Sequence, residues 1–190
     1  MNIGLFFGSF NPIHIGHLII ANYMANYTGL DALWLVVSPH NPLKNKSELI
    51  NMYDRLEMAK LATEDAERIK VSDIEFNLTQ PSYTIDTLTH LHERYPEHKF
   101  SLIMGSDNLK SLKKWKNYEL ILRDYPIYIY PRPNFLTSEF FSHPSVIITE
   151  TPLMEISSTF IRKAIKEGKN VQYFMPKEVL SFIESKNLYR

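Results

Sequence analysis

Cysteine is missing from these 190 residues, which excludes disulfides, thiol nucleophiles and cysteine-ligated metals. Net charge is missing as well: 21 lysines and arginines balance 21 aspartates and glutamates, so any phosphate site must be local rather than a broad basic surface. That balance argues against a nucleic-acid partner. No apolar run approaches the roughly 18 residues that a membrane helix needs, so no membrane association is expected. The apolar start lacks a basic leader and soon meets Asn11, Pro12 and His14, unlike a signal peptide. Internal repeats and low-complexity linkers are absent too. What is left, 44% hydrophobic and 22% charged residues, suits one soluble domain over 1–190 and a cytoplasmic setting.

The chain is organised around Gly8-Ser9-Phe10-Asn11-Pro12-Ile13-His14-Ile15-Gly16-His17. The apolar run Ile3–Phe7 before it reads as a buried parallel strand, and Leu18, Ala21 and Ala25 after it mark one face of a helix. The stretch is therefore a strand-to-helix turn. Gly8 permits close backbone approach, Pro12 stiffens the loop, and Gly16 opens the helix without a side chain in the way. A helix start favours anions through its amides and dipole, and histidines three apart can address one anion. A helical zinc-protease site needs two histidines four apart around a glutamate, which this is not.

Further strands are expected at 33–37, 69–74, 100–104, 127–130 and 146–148, alternating with helices. Strand, helix, strand predicts an α/β domain with a mainly parallel sheet, whose ligands gather at the carboxyl ends of the strands. Residues at that edge are the candidates. Lys44 closes a Pro/Asn-rich loop after the second strand, either on a phosphate or in solvent. Tyr83 and Thr84 sit at a helix start for which Ser82 is the expected cap. Gly105, Ser106 and Asp107 lie between a strand and a helix expected from Asn108. Trp115 stands among Lys110, Lys113, Lys114 and Lys116, which read as a solvated face, as does Arg55. Arg132 is fixed between two prolines. Ile156-Ser157-Ser158-Thr159-Phe160-Ile161-Arg162 opens a helix ended by Gly168, with Ser157 as its cap. Three hydroxyls and an arginine there could be capping alone, or a cradle for a polyphosphate.

These stretches resemble the HxGH nucleotidylyltransferase superfamily, and GSFNPIHIGH, PSYTIDTL and ISSTFIR together resemble its bacterial nicotinate-nucleotide adenylyltransferase family from Ile3 to Arg190. The resemblance implies a three-layer Rossmann-like fold and adenylyl transfer from ATP to nicotinate mononucleotide, with Mg²⁺ bridging phosphate oxygens. It assigns His14 and His17 to the α-phosphate as catalytic residues. Gly8, Ser9, Phe10, Gly16, Lys44, Gly105, Asp107, Ile156, Ser157, Ser158, Thr159 and Arg162 go to ATP. Tyr83, Thr84, Trp115 and Arg132 go to the pyridine nucleotide, with Trp115 stacking on its ring. No protein-held metal is implied, and a homo-oligomer is left open. Nicotinamide mononucleotide, phosphopantetheine or a flavin mononucleotide as acceptor, or a non-catalytic ATP-binding module, are the alternatives.

Four positions depart from the family pattern. Phe7 replaces a glycine and Asn11 an aspartate, both expected to bear on the loop near ATP. Lys116 replaces an aromatic and Asn134 a glycine, expected to bear on the acceptor pocket.

Overall fold

A computed structural model describes residues 1–40, 49–135 and 138–190. Lys44 lies outside them. The described elements run β1 (Asn2–Gly8), α1 (Ile15–Tyr27), β2 (Ala32–Val37), α2 (Met52–Leu61), β3 (Ile69–Ser72), α3 (Thr84–Arg94), β4 (Lys99–Gly105), α4 (Ser106–Lys110), α5 (Tyr118–Asp124), β5 (Ile127–Tyr130), β6 (Val146–Ile148), α6 (Ser158–Lys166) and α7 (Lys177–Ser185). The strands form one sheet in the order β3-β2-β1-β4-β5-β6, and every neighbouring pair is parallel.

Period-two alternation sends side chains to two cores. Ile3, Leu5, Leu102 and Met104 face a cluster completed by Leu88 and Leu91 of α3 and Ile121 of α5. Phe6, Leu33, Leu35 and Ile103 face the other, filled by Met24 of α1, Met58 of α2, Ile161 of α6 and Val179 of α7. Helices on both faces are what strands buried on both sides require. Among the described residues no helix is long and apolar enough to cross a membrane.

The strand order reverses at β1. The chain travels outward through β2 to β3, then crosses back to β4 on the other side. Loops after β1 and β4 therefore part to opposite faces and leave a crevice beyond their carboxyl ends, the usual place for a ligand in such sheets.

Several local readings change. The helix after β4 starts at Ser106, two residues earlier than expected, so Asp107 stands in its first turn. Tyr83 is the N-cap of α3, and its side chain makes no capping bond, while Ser82 is buried one residue before it. The strand expected through Ile74 stops at Ser72, and a 3₁₀ turn over Ile74–Asn77 brings Glu75 inward. Arg55, expected in solvent, is 1% exposed. Asn134 takes φ +67°, a left-handed backbone that asparagine tolerates better than most residues, which accounts for it replacing glycine.

Candidate active site

The turn after β1 makes the first half of the site. His14 is the N-cap of α1 and His17 lies three residues on, so both rings rise from one helix start. They stack with centroids 3.7 Å apart and planes 28° apart. The His14 amide donates to His17 Nδ1 at 3.3 Å, which places the proton of a neutral His17 ring on Nε2. Phe10 packs its edge on His17 at 5.1 Å and is itself 2% exposed. Burial, with the nearby Arg132 charge, lowers the His14 pKa from 6.5 to about 4, so the ring is neutral at physiological pH.

Two local contacts shape this turn. A Cβ on Gly8 would lie 2.7 Å from the Phe10 ring, so the missing side chain makes room for Phe10. The first amides of α1 are not all turned to a ligand. The Ile15 amide donates to the Phe174 carbonyl at 2.8 Å, and that of His17 returns to the His14 carbonyl at 2.9 Å. The rings carry more of the corner, and the backbone less, than the sequence suggested.

The start of α6 closes on the same turn. Ser157 caps the helix, accepting from the Phe160 amide at 3.2 Å. Ser158 donates to the Pro12 carbonyl at 2.9 Å, and Arg162 to the Asn11 carbonyl at 3.0 Å. Thr159 stands 3.5 Å from Arg162 through its hydroxyl. A Cβ on Gly16 would come within 2.5 Å of Ile156 Cγ2, so this glycine admits α6 rather than merely opening α1. Segments 146 residues apart in sequence thus form one corner. Asn11 supplies more than its carbonyl: Oδ1 accepts from the Tyr189 hydroxyl at 2.9 Å and from the Ile50 amide at 3.5 Å. An amide oxygen is sufficient for both bonds, so this departure keeps the loop tied down.

Beyond β4, Gly105 is walled by Asp107, Tyr130 and Arg132. The Arg132 amide donates to Ser106 Oγ at 2.9 Å, and its guanidinium to the Met154 carbonyl at 3.1 Å. Among the described residues, Ser9 Oγ, His14 Nδ1, Asp107 Oδ1, Arg132 Nε and Trp115 Nε1 are buried with no hydrogen-bond partner, as are Ser82 Oγ and His98 Nδ1. Unpaired buried polar atoms are costly, and several of these belong to residues singled out in the sequence.

The second half is a cavity of about 340 Å³. Its walls include Tyr83 and Thr84 at the start of α3, Trp115, Lys116, and Phe6, Phe7, Met104 and Tyr130 from the sheet. Tyr83, Thr84 and Trp115, singled out separately in the sequence, come together here. Phe7 belongs to this wall. The lysine cluster also divides: Lys113 pairs with Glu139 at 2.7 Å, whereas Lys114 and Lys116 line the cavity. Lys116 Nζ pairs with Asp86 at 2.9 Å and sits 4.9 Å from the Tyr83 ring centre. Glu75 lines the cavity too. It accepts from Thr87 Oγ1 at 2.8 Å, and burial pushes its carboxyl pKa up.

Phe6 and Tyr130 join the halves. Both line the cavity, their rings are 5.8 Å apart, and Phe6 lies 6.2 Å from the His17 ring. A two-imidazole corner beside a flat-walled pocket, at the switch point of a parallel sheet, is the architecture of a nucleotide-handling α/β protein. A profile of the cytidylyltransferase-like family matches residues 5–164, and the chain belongs to that family. A Flavobacterium johnsoniae protein named Probable nicotinate-nucleotide adenylyltransferase is 57% identical over 192 residues, spanning 100% of both chains. One of the same name from Cytophaga hutchinsonii is 49% identical, covering 100% of this chain and 98% of its own. Within the family, the chain stands with the nicotinate-nucleotide adenylyltransferases. The fold also matches Plasmodium falciparum nicotinic acid mononucleotide adenylyltransferase complexed with NaAD, at TM-score 0.84 over 99% of this chain and 97% of that one, with 21% identity.

Proposed function

We propose that this chain transfers the adenylyl group of ATP to nicotinate mononucleotide, giving nicotinate adenine dinucleotide and pyrophosphate. The observation that carries the reading is the shared Phe6–Tyr130 wall, which makes the imidazole corner and the flat cavity neighbours. A triphosphate in one and a pyridine nucleotide in the other would meet phosphate to phosphate.

In this reading the acceptor phosphate, already anionic at neutral pH, attacks the α-phosphorus. The new P–O bond forms as the α–β bridging oxygen leaves with its electron pair on pyrophosphate, so no general base is needed. Catalysis is alignment plus stabilisation of charge on the transferring group. His17 donates from Nε2 to an α-phosphate oxygen. His14 enters neutral, and negative charge against its ring would raise its pKa and strengthen it as a donor. Ser157, Ser158, Thr159 and Arg162 face the departing β and γ phosphates, and Arg132 reaches the acceptor side. Tyr83, Thr84 and Trp115 receive the pyridine ring and its carboxylate. Among the described residues no group of three or more His, Asp or Glu could hold a metal. Mg²⁺ would be held by the triphosphate itself and would supply charge neutralisation there. A cytoplasmic enzyme of a single domain is the setting proposed with it.

The test is pyrophosphate release with ATP and each candidate acceptor. Release with nicotinate mononucleotide, with kcat/KM at least tenfold above the nicotinamide form, is expected. ATP binding without release for any pyridine nucleotide would instead indicate a non-catalytic nucleotide-binding module.

A further inference from the structure

Arg55 belongs to none of the motifs, yet it touches both halves of the site. It projects from α2, is 1% exposed, and among the described residues donates to four backbone carbonyls. One guanidinium nitrogen reaches the Ser9 and Ser38 carbonyls, each at 2.7 Å. The other reaches the Pro39 carbonyl at 2.8 Å, and Nε the Ile50 carbonyl at 3.2 Å.

The place matters as much as the count. The Ser38 amide donates to the Gly8 carbonyl at 2.9 Å, a bond between the carboxyl ends of β1 and β2. One residue further the chains part, Ser9 into the imidazole corner and Ser38 into the cavity wall. A planar five-donor fork can bridge the two carbonyls at that divergence; a lysine ammonium cannot span the same set. Holding the Ser9 carbonyl also turns the following Phe10 amide away from α2, because the two point oppositely across a trans peptide. Phe10 there has φ +44°, a conformation that needs such support. Ile50, tied to Arg55 through its carbonyl, is tied to Asn11 through its amide.

We infer that Arg55 is a positioning residue: it sets the spacing between the triphosphate corner and the acceptor cavity. The inference rests on the reaction proposed above. Adenylyl transfer needs the attacking oxygen and the α-phosphorus in register, and a misplacement of about 1 Å can cost roughly a hundredfold in rate. Loss of the fork therefore acts on turnover more than on either ligand alone.

The experiment compares Arg55→Met and Arg55→Lys with the parent chain, below the melting temperature of each. Dissociation constants are measured separately for a non-hydrolysable ATP analogue and for nicotinate mononucleotide, beside kcat at saturation. Arg55→Met is expected to lose at least thirtyfold in kcat while each dissociation constant stays within fivefold. Arg55→Lys, keeping the charge, is expected to lose about tenfold. A folded variant with kcat within threefold of the parent would overturn the role. So would dissociation constants that weaken by the same factor as kcat, since that marks general loosening. Amide hydrogen exchange on Arg55→Lys gives a second readout that holds even if Arg55→Met fails to fold. Phe10 and Ile50 should exchange faster while the β1 and β4 interior does not, and unchanged protection at both would also overturn the role. A parent chain that releases no pyrophosphate refutes the proposed reaction instead, and Arg55 is then judged by the exchange result alone.

Discussion

In the imidazole corner, His14 and His17 come from one helix start and are held by hydrogen bonds that reach across the chain: Ser158 to Pro12, Arg162 to Asn11, Tyr189 to Asn11. In the neighbouring cavity the walls are rings and methylenes from the sheet, from α3 and from the stretch around Trp115, and Lys116 and Tyr83 are both partly open to solvent. The corner is tight and cross-linked by hydrogen bonds; the cavity is flat-walled and partly open to solvent. Fixed donors suit a group whose charge changes during reaction, because they need not reorganise. A planar ring asks mainly for a matching surface. The departures from the family follow the same division. Asn11 ties the corner to Ile50, Arg162 and Tyr189, whereas Phe7 and Lys116 line the cavity.

Substitutions should split along that line. The largest effect is expected at the corner: His17→Ala should cut turnover at least a hundredfold with the melting temperature little changed, as loss of a transition-state donor costs about 2.7–4 kcal/mol. Steady-state rates beside a thermal melt check this.

Next comes the protonation of His14. Its pKa falls from 6.5 to about 4 on folding, so the unfolded chain binds the proton more tightly. Its contribution is present in full above pH 6.5 and is lost as pH drops toward 4, on the order of 3 kcal/mol in all. Urea titrations across pH 7 to 4 should show this slope, and His14→Asn should flatten it.

In the cavity, Trp115→Ala should weaken the acceptor about three- to tenfold, in line with roughly 0.5–1.5 kcal/mol for an aromatic contact, and leave ATP affinity alone. Separate titrations of the two nucleotides would show whether the halves are independent. The smallest effect belongs to Ser157→Ala, about 1 kcal/mol of stability from a lost cap. Because the Ser157 hydroxyl is already engaged by the Phe160 amide, that variant's turnover should fall less than that of Ser158→Ala, which cuts the bond to Pro12.

The same contrast explains what could be read from the sequence. The alternation of apolar strands with helices gave the layers and the parallel sheet, since both cores are built from period-two strands and amphipathic helices. His14, His17 and Ser157 were legible because three or four neighbouring residues define a helix start. Arg55 was not. Its partners are carbonyls of Ser9, Ser38, Pro39 and Ile50, and a carbonyl leaves no trace in side-chain identity. Lys114 and Lys116 are exposed, as a solvated face predicts, but the sequence did not show that they also border the cavity with Phe7 and Met104. Glu75 was hidden by the short 3₁₀ turn that carries it inward.

The division of labour between corner and cavity is tested most directly by the structure of this protein with a non-hydrolysable ATP analogue bound. The account expects α-phosphate oxygens within hydrogen-bonding reach, about 3 Å, of His17 Nε2. The terminal phosphates should lie against Ser157–Thr159, with the space between Tyr83 and Trp115 still open. A triphosphate lodged between Tyr83 and Trp115, or bound out of reach of His17, would contradict it.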